Sequence, residues 1–118
     1  MNRDVLIRHM QEHYAAAPEY LWARWPDYAV FRHGGGRKWF AVLMNIPANK
    51  LGLPDSAPVD VLNLKAAPEM VGSLLQLPGI FPAWHMNKEH WVSLLLEGGP
   101  NDETIDNLID DSYLLTRK

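Results

Sequence analysis

The sequence predicts an α+β fold: a two-layer sandwich whose largely antiparallel sheet carries the N- and C-terminal helices on one face. Apolar residues recur at helical spacing near both ends of the chain, and β-type runs lie between them. These runs follow one another mostly without long crossovers, which favours antiparallel pairing. The 118 residues suit one domain, 1–118.

The first helix is predicted within "NRDVLIRHMQEHY", with Asn2 as its N-cap and Pro18 beyond its end. His9 and His13 lie four residues apart and share a helical face. No third ligand accompanies them, so the sequence predicts no metal site and no cofactor. The pair is interpreted as a helix flank half-covered by the sheet.

Two strands follow as a hairpin, "YAVFRH" and "RKWFAVLMNI", joined by the glycines 34–36. No G-x-x-x-x-G-K-[ST] pattern and no following helix accompany these glycines, so they predict a turn rather than a phosphate loop. A proline-rich surface loop, 47–58, then leads to a third strand, "VDVLNLK".

Pro68 marks the start of a short helix that Pro78 and Gly79 end. A short strand is predicted at "AWHM", a turn at "NKEH", and a central strand at "HWVSLLLEG", because both faces of this last run are largely apolar. The final helix begins after Asn101, with Asp102 next to it at the positive end of the helix dipole.

The charge pattern gives only limited support to a nucleic-acid partner. The net charge is −3; residues 1–50 hold seven Lys/Arg and four Asp/Glu, while residues 51–118 hold four and ten. A dedicated nucleic-acid binder usually has a basic excess, so only a local basic face stays open. The N-terminus lacks a signal-peptide pattern and no apolar run approaches the ~20 residues of a membrane span. A cytoplasmic protein without membrane contact is expected.

Two segments combine flat rings with hydrogen-bond donors, a mixture that suits nucleic acid or a small planar or anionic ligand. One is the hairpin and the other is "WHMNKEH". The candidate nucleic-acid- or ligand-binding residues are Arg32, Arg37, Lys38, Trp39, Trp84, His85, Asn87, Lys88 and His90.

The same residues do not form a catalytic set, so no enzyme and no catalytic residue are predicted. Ser93 and His90 are three apart on a strand and therefore face opposite sides, as do the neighbours Glu89 and His90. A nucleophile would need a base within hydrogen-bond reach.

The spacing His85, Asn87-Lys88, His90-Trp91 within "PGIFPAWHMNKEHWVSLLLEGG" resembles the MmcQ/YjbR family of small bacterial proteins. The segments "WPDYAVFR", "KWFAVLM" and "IDNLIDDSYLL" extend the resemblance over nearly the whole chain. It implies a CyaY-like fold, in agreement with the order derived above, and DNA binding. Iron binding through an acidic first helix is disfavoured, because that helix holds as many Arg as Asp and Glu side chains.

Two functions therefore stay open. One is a small cytoplasmic DNA-binding protein that uses a basic-aromatic sheet face. The alternative is a non-enzymatic module with an aromatic/His pocket for a small ligand or a protein. The sequence leaves the oligomeric state undecided.

Overall fold

A computed structural model describes residues 1–34 and 38–117 and shows an α+β architecture, as predicted. The helices are α1 (Arg3–Tyr14), α2 (Pro68–Leu74) and α3 (Asp102–Thr116), with a 3₁₀ turn at Ala48–Leu51. The strands are β1 (Ala29–Arg32), β2 (Trp39–Pro47), β3 (Pro58–Lys65), β4 (Ile80–Pro82) and β5 (Trp91–Leu95). The sheet has the order β1-β2-β3-β5-β4, with every neighbouring pair antiparallel.

The terminal helices lie side by side on one face of the sheet. Leu6 and Met10 of α1 and Ile105 and Ile109 of α3 are fully buried in the same apolar cluster. Both predicted caps form: the side chain of Asn2 accepts a hydrogen bond from the Val5 N–H, and that of Asn101 from Thr104. None of the helices in the described part of the chain is long and apolar enough to cross a membrane.

The opposite sheet face has its own apolar cluster, and no α-helix of the described residues covers it. Val30, Val42, Met44, Ile46 and Val61 are buried there. Alternation along β2 explains the division, because successive side chains of a strand point to opposite faces. Partly buried aromatic side chains from the preceding and following segments cover this second cluster instead.

A register shift in the hairpin decides which way Trp39 points. Phe31 pairs with Ala41, but the next residue, Arg32, pairs with Trp39, so Phe40 is an extra residue. Phe40 and Ala41 both lie in the helix-side cluster, while Trp39 lies on the other face. A bulge of this kind re-aims the side chains that follow it. Simple alternation would have placed Trp39 with Ala41, under the helices.

The strand predicted at "AWHM" is wrong. The fourth strand is Ile80–Pro82, and the chain from 83 to 90 is a loop. Pro82 lacks the N–H that would continue the ladder. The backbone of His85 has φ 62°, outside the β region. The strand predicted at 90–98 exists as Trp91–Leu95 and is interior, between β3 and β4.

His33 connects the end of β1 to the last turn of α3. Its Nε2 lies 2.7 Å from the Thr116 hydroxyl, and its ring centroid is 4.2 Å from that of Tyr113. Burial lowers the pKa of His33 below its ordinary value, and the positive charges of Arg117 and Lys38 lower it further.

Acidification should therefore weaken the fold through His33. The unfolded chain protonates this imidazole near its ordinary pKa of 6.5, whereas the folded chain does so at lower pH. The stabilisation is complete above pH 6.5 and is lost as pH falls through the folded pKa. Urea unfolding at several pH values should show a smaller acid-dependent loss for His33→Gln than for the wild type. Equal losses would contradict this assignment.

Candidate functional site

A concave cavity of about 410 Å³ lies on the sheet face opposite α1 and α3. This volume falls in the range of roughly 300–1,000 Å³ that is typical of small-molecule pockets. The aromatic side chains that line it are Trp22, Trp25, Tyr28, Trp39 and Trp84. The cavity therefore lies between residues of the hairpin and residues of the loop that precedes β5.

Strand β2 forms the floor of the cavity. Val42, Met44 and Ile46 point into it because they alternate with residues on the helix side. Pro47, at the end of the strand, and Lys50, in the 3₁₀ turn that follows, also line the cavity. The floor is apolar, and a charged side chain stands at the end of it.

The segment before β1 supplies one aromatic wall. The Trp22 ring meets Trp39 at 5.9 Å and Tyr28 at 6.1 Å between centroids, both edge-on, while Trp25 stacks on Tyr28 at 5.6 Å. Edge-to-face and offset-stacked contacts are the preferred arrangements of such rings. Burial raises the pKa of Tyr28 above its ordinary value.

A buried polar pair holds the opposite wall. Asn63 Nδ2 donates a hydrogen bond to the Trp84 carbonyl at 2.8 Å, and the Trp84 N–H donates to Ser93 Oγ at 2.9 Å. The Ser93 hydroxyl in turn donates to Asn63 Oδ1. Asn63 and Ser93 are both 0% exposed. We call this arrangement the Asn63–Ser93 clamp; it satisfies both backbone polar groups of Trp84.

His85, next to Trp84, lies at the mouth of the cavity in an unusual backbone conformation. Its φ of 62° is left-handed, a region that few residues other than glycine adopt. Its ring lies edge-on to Trp84, 4.4 Å between centroids, and its side chain is exposed. Residues held in this region are often found at ligand-binding sites.

The cavity lining has basic side chains but no acidic one among the described residues. It holds Lys50 and His85 but no Asp or Glu. The Lys50 Nζ is 5.9 Å from the centroid of the Trp84 ring, and the Arg24 guanidinium carbon is 5.3 Å from that of Trp25. Both distances are within the range of cation–π attraction.

Three of the predicted site residues, Trp39, Trp84 and His85, come together in this cavity. Arg32 does not contribute a free charge, because Glu19 accepts hydrogen bonds from its Nε at 2.8 Å and its Nη2 at 2.6 Å. The bonds from Arg32 also lower the pKa of the Glu19 carboxyl. Arg37 lies outside the described residues.

The other four predicted residues lie outside the cavity. Asn87 Oδ1 accepts a hydrogen bond from the Glu89 N–H at 2.8 Å and so shapes the turn. Lys38, Lys88 and His90 are exposed, and none of the side-chain hydrogen bonds or ion pairs found in 1–34 and 38–117 involves them.

Sequence reasoning missed the floor, Lys50 and the clamp. The floor residues of β2 were visible only as an apolar strand, and Lys50 only as part of a loop. Trp22 and Trp25 did give a signal, because they stand in a run of rings and cations before the hairpin. Nothing in the sequence distinguishes Asn63 from a solvent-facing residue of a half-buried strand.

The His9 and His13 pair lies on the helix side, away from this cavity. Their ring centroids are 4.2 Å apart, and His9 Nε2 is 3.5 Å from Asp106 Oδ1 of α3. The part of the chain that the structure describes contains no group of three or more His, Cys, Asp or Glu placed to hold a metal ion.

Removing the Asn63–Ser93 clamp should destabilise the fold. We expect Asn63→Ala to lower the free energy of unfolding by about 2–3 kcal/mol, since it leaves the Trp84 carbonyl without its donor and the Ser93 hydroxyl hydrogen without its acceptor. Asn45→Ala is the matched control: it removes one half-buried hydrogen bond to Asp60, 3.0 Å long. Its loss should be about 1 kcal/mol or less. Equal losses in denaturant titrations would contradict the role of the clamp.

The comparisons with known proteins agree in family and fold. The YjbR family model matches residues 11–115. The chain is 39% identical over 117 residues to the uncharacterized protein YyaQ of Bacillus subtilis (strain 168), covering 99% of both. It is similar to a crystal structure from Pseudomonas syringae, with TM-score 0.97, 51% identity, and coverage of 99% of this chain and 100% of that one. For Deinococcus radiodurans protein DR2400 the TM-score is 0.72 at 26% identity, over 98% and 78% of the chains. This chain belongs to the YjbR family.

Proposed function

We propose that this chain is a cytoplasmic, non-enzymatic binding protein whose aromatic cavity takes a small, flat, largely apolar ligand. The observation that carries the proposal is the cavity of about 410 Å³, with five aromatic rings around an apolar floor. Concave apolar sites with a few polar groups are the usual form of small-molecule pockets. Aromatic rings on two sides favour a planar guest, which can stack on them or meet them edge-on.

The walls support this proposal because contacts within the chain hold them in place. The clamp fixes the backbone of Trp84, and Trp22, Tyr28 and Trp39 pack against one another. A pre-formed site loses less conformational entropy when it binds. A ligand would therefore meet walls that are already ordered.

The chemistry of the site supports binding rather than catalysis. The Ser93 hydroxyl is buried and is occupied by the Trp84 N–H and Asn63 Oδ1. The cavity lining in the described residues holds no Ser, Thr, Asp or Glu. Nucleophilic catalysis requires an activated side chain near a base.

Naphthalene and quinoline fragments should bind the purified protein. At about 0.5 kcal/mol per non-hydrogen atom, a ten-atom fragment reaches a Kd of roughly 0.2 mM. Trp84→Leu removes a wall and should weaken binding at least fivefold, as measured by isothermal titration calorimetry.

Trp91→Leu is the matched control for that titration. Trp91 is half-buried like Trp84 but does not line the cavity. Its replacement should leave the Kd within twofold of the wild type. Absence of binding by every planar fragment, or equal weakening by both substitutions, would contradict the proposed site.

DNA binding is the second candidate, and one observation favours it. Lys38, which precedes β2, and Lys88, in the loop before β5, are exposed and lie at the same end of the sheet. The register shows this, because Ala41 pairs with Leu64, and the neighbouring Lys65 pairs with Trp91. These two lysines and the exposed His85 and His90 would contact phosphates without reading sequence. The pairing of Arg32 with Glu19 weakens this candidate relative to the ligand site.

Labelled duplex and single-stranded DNA distinguish the two functions by fluorescence anisotropy at two salt concentrations. A DNA-binding protein should lose affinity steeply as salt rises, because contacts to phosphates release counterions. Lys88→Ala should then weaken binding about equally for every DNA sequence. The ligand proposal instead predicts no salt-sensitive DNA binding in the micromolar range.

A further inference from the structure

The aromatic cavity has one lysine on its lining, Lys50, and this lysine has no acidic partner among the described residues. Resting on the proposed function, we propose that the ligand is a planar aromatic anion. Its rings occupy the cavity between the tryptophans, and its acidic group pairs with the Lys50 ammonium.

A hydrogen bond and a buried side chain hold the backbone around Lys50, so the backbone position of this lysine is fixed. Lys50 lies in the 3₁₀ turn Ala48–Leu51, directly after β2. The Ala48 N–H donates a hydrogen bond to the Ala57 carbonyl at 2.9 Å, and the Ala48 side chain is buried. Gly52 ends the turn with φ 87°, a conformation that glycine adopts readily.

The side chain of Lys50 reaches back over the cavity wall. Its Nζ lies 5.9 Å from the centroid of the Trp84 ring, while the residue itself is exposed. The charge is thus at the rim, in contact with both an aromatic wall and solvent. An acidic group at the edge of a bound ring would meet this ammonium without being buried, so its desolvation penalty is small.

Among the described residues, two arginines are paired with acids, whereas Lys50 is not. Arg32 is paired with Glu19, and Arg3 lies 3.6 Å from Asp60. Lys50 takes part in none of the ion pairs within 1–34 and 38–117, and no acid lines the cavity there. Its charge is therefore available to a ligand, and no carboxylate on the lining would repel an anion.

Tyr28 does not oppose an anionic guest. Its phenol is uncharged at neutral pH at its ordinary pKa, and burial raises that pKa further. His85, at the mouth of the cavity, adds a second polar group that can donate a hydrogen bond.

Matched acid and amide pairs test this inference directly. Naphthoate with naphthamide, and cinnamate with cinnamamide, differ mainly in charge, so their affinity ratio isolates the contribution of an acidic group. We expect each acid to bind the wild type about five- to tenfold more tightly than its amide, as a charge-assisted contact at a partly exposed site should give. Raising the salt concentration should reduce this ratio.

Two lysine variants test whether Lys50 causes the preference for the acids over the amides. Lys50→Met keeps an unbranched chain of similar length and should reduce the acid-to-amide ratio to below twofold while the amide still binds. Lys88→Met is the matched control, since Lys88 is also exposed but does not line the cavity. It should leave the ratio unchanged. Thermal unfolding midpoints of all three proteins verify that they are folded.

The outcomes separate this inference from the function on which it rests. If the amides bind the wild type as tightly as the acids, the anion preference is wrong. The aromatic pocket is still supported in that case, because the fragments bind. A preference that survives Lys50→Met, or that disappears in Lys88→Met, would overturn the role of Lys50. Failure of both acids and amides to bind would overturn the proposed function itself.

Discussion

The arrangement of the whole cavity depends on one buried interaction, the clamp that Asn63 and Ser93 form around the backbone of Trp84. An amide and a hydroxyl without contact to water are tolerated in a sheet only when their hydrogen bonds are made. Here each of them bonds the other and one of the Trp84 backbone groups. The N–H and carbonyl of Trp84, a loop residue, are thus fixed against strands β3 and β5. The ring of Trp84 then forms one wall of the cavity.

The apolar surface of the sheet is covered differently on its two faces. On one side α1 and α3 bury Leu6, Met10, Ile105 and Ile109 almost completely, as expected for helices packed on a sheet. On the other side, irregular segments cover the strands with large rings, and rings of this shape leave space between them. The cavity is therefore a consequence of how this face is covered. The aromatic residues that shield the strands are also those that would contact a ligand.

The elements that depend on local sequence were predictable, and those that depend on tertiary contacts were not. Asn2 and Asn101 mark the helix starts, because a cap bonds residues only a few positions away. The bulge that turns Trp39 away from the helices reflects pairing across two strands, which alternation alone does not show. Arg32 looked like a free cation, since Glu19 is thirteen residues away in sequence and meets it only in the fold. Lys50 could be placed at the cavity only once the course of the turn after β2 was known.

The most direct test of the account follows the indole N–H signals in a proton–nitrogen correlation spectrum while naphthoate is added. The chain has five tryptophans, and four of them, Trp22, Trp25, Trp39 and Trp84, line the cavity. Binding there should shift these four signals with a common dissociation constant and leave the signal of Trp91 in place. A shift confined to Trp91, shifts of all five signals to the same extent, or no shift at all would contradict a ligand site in this cavity.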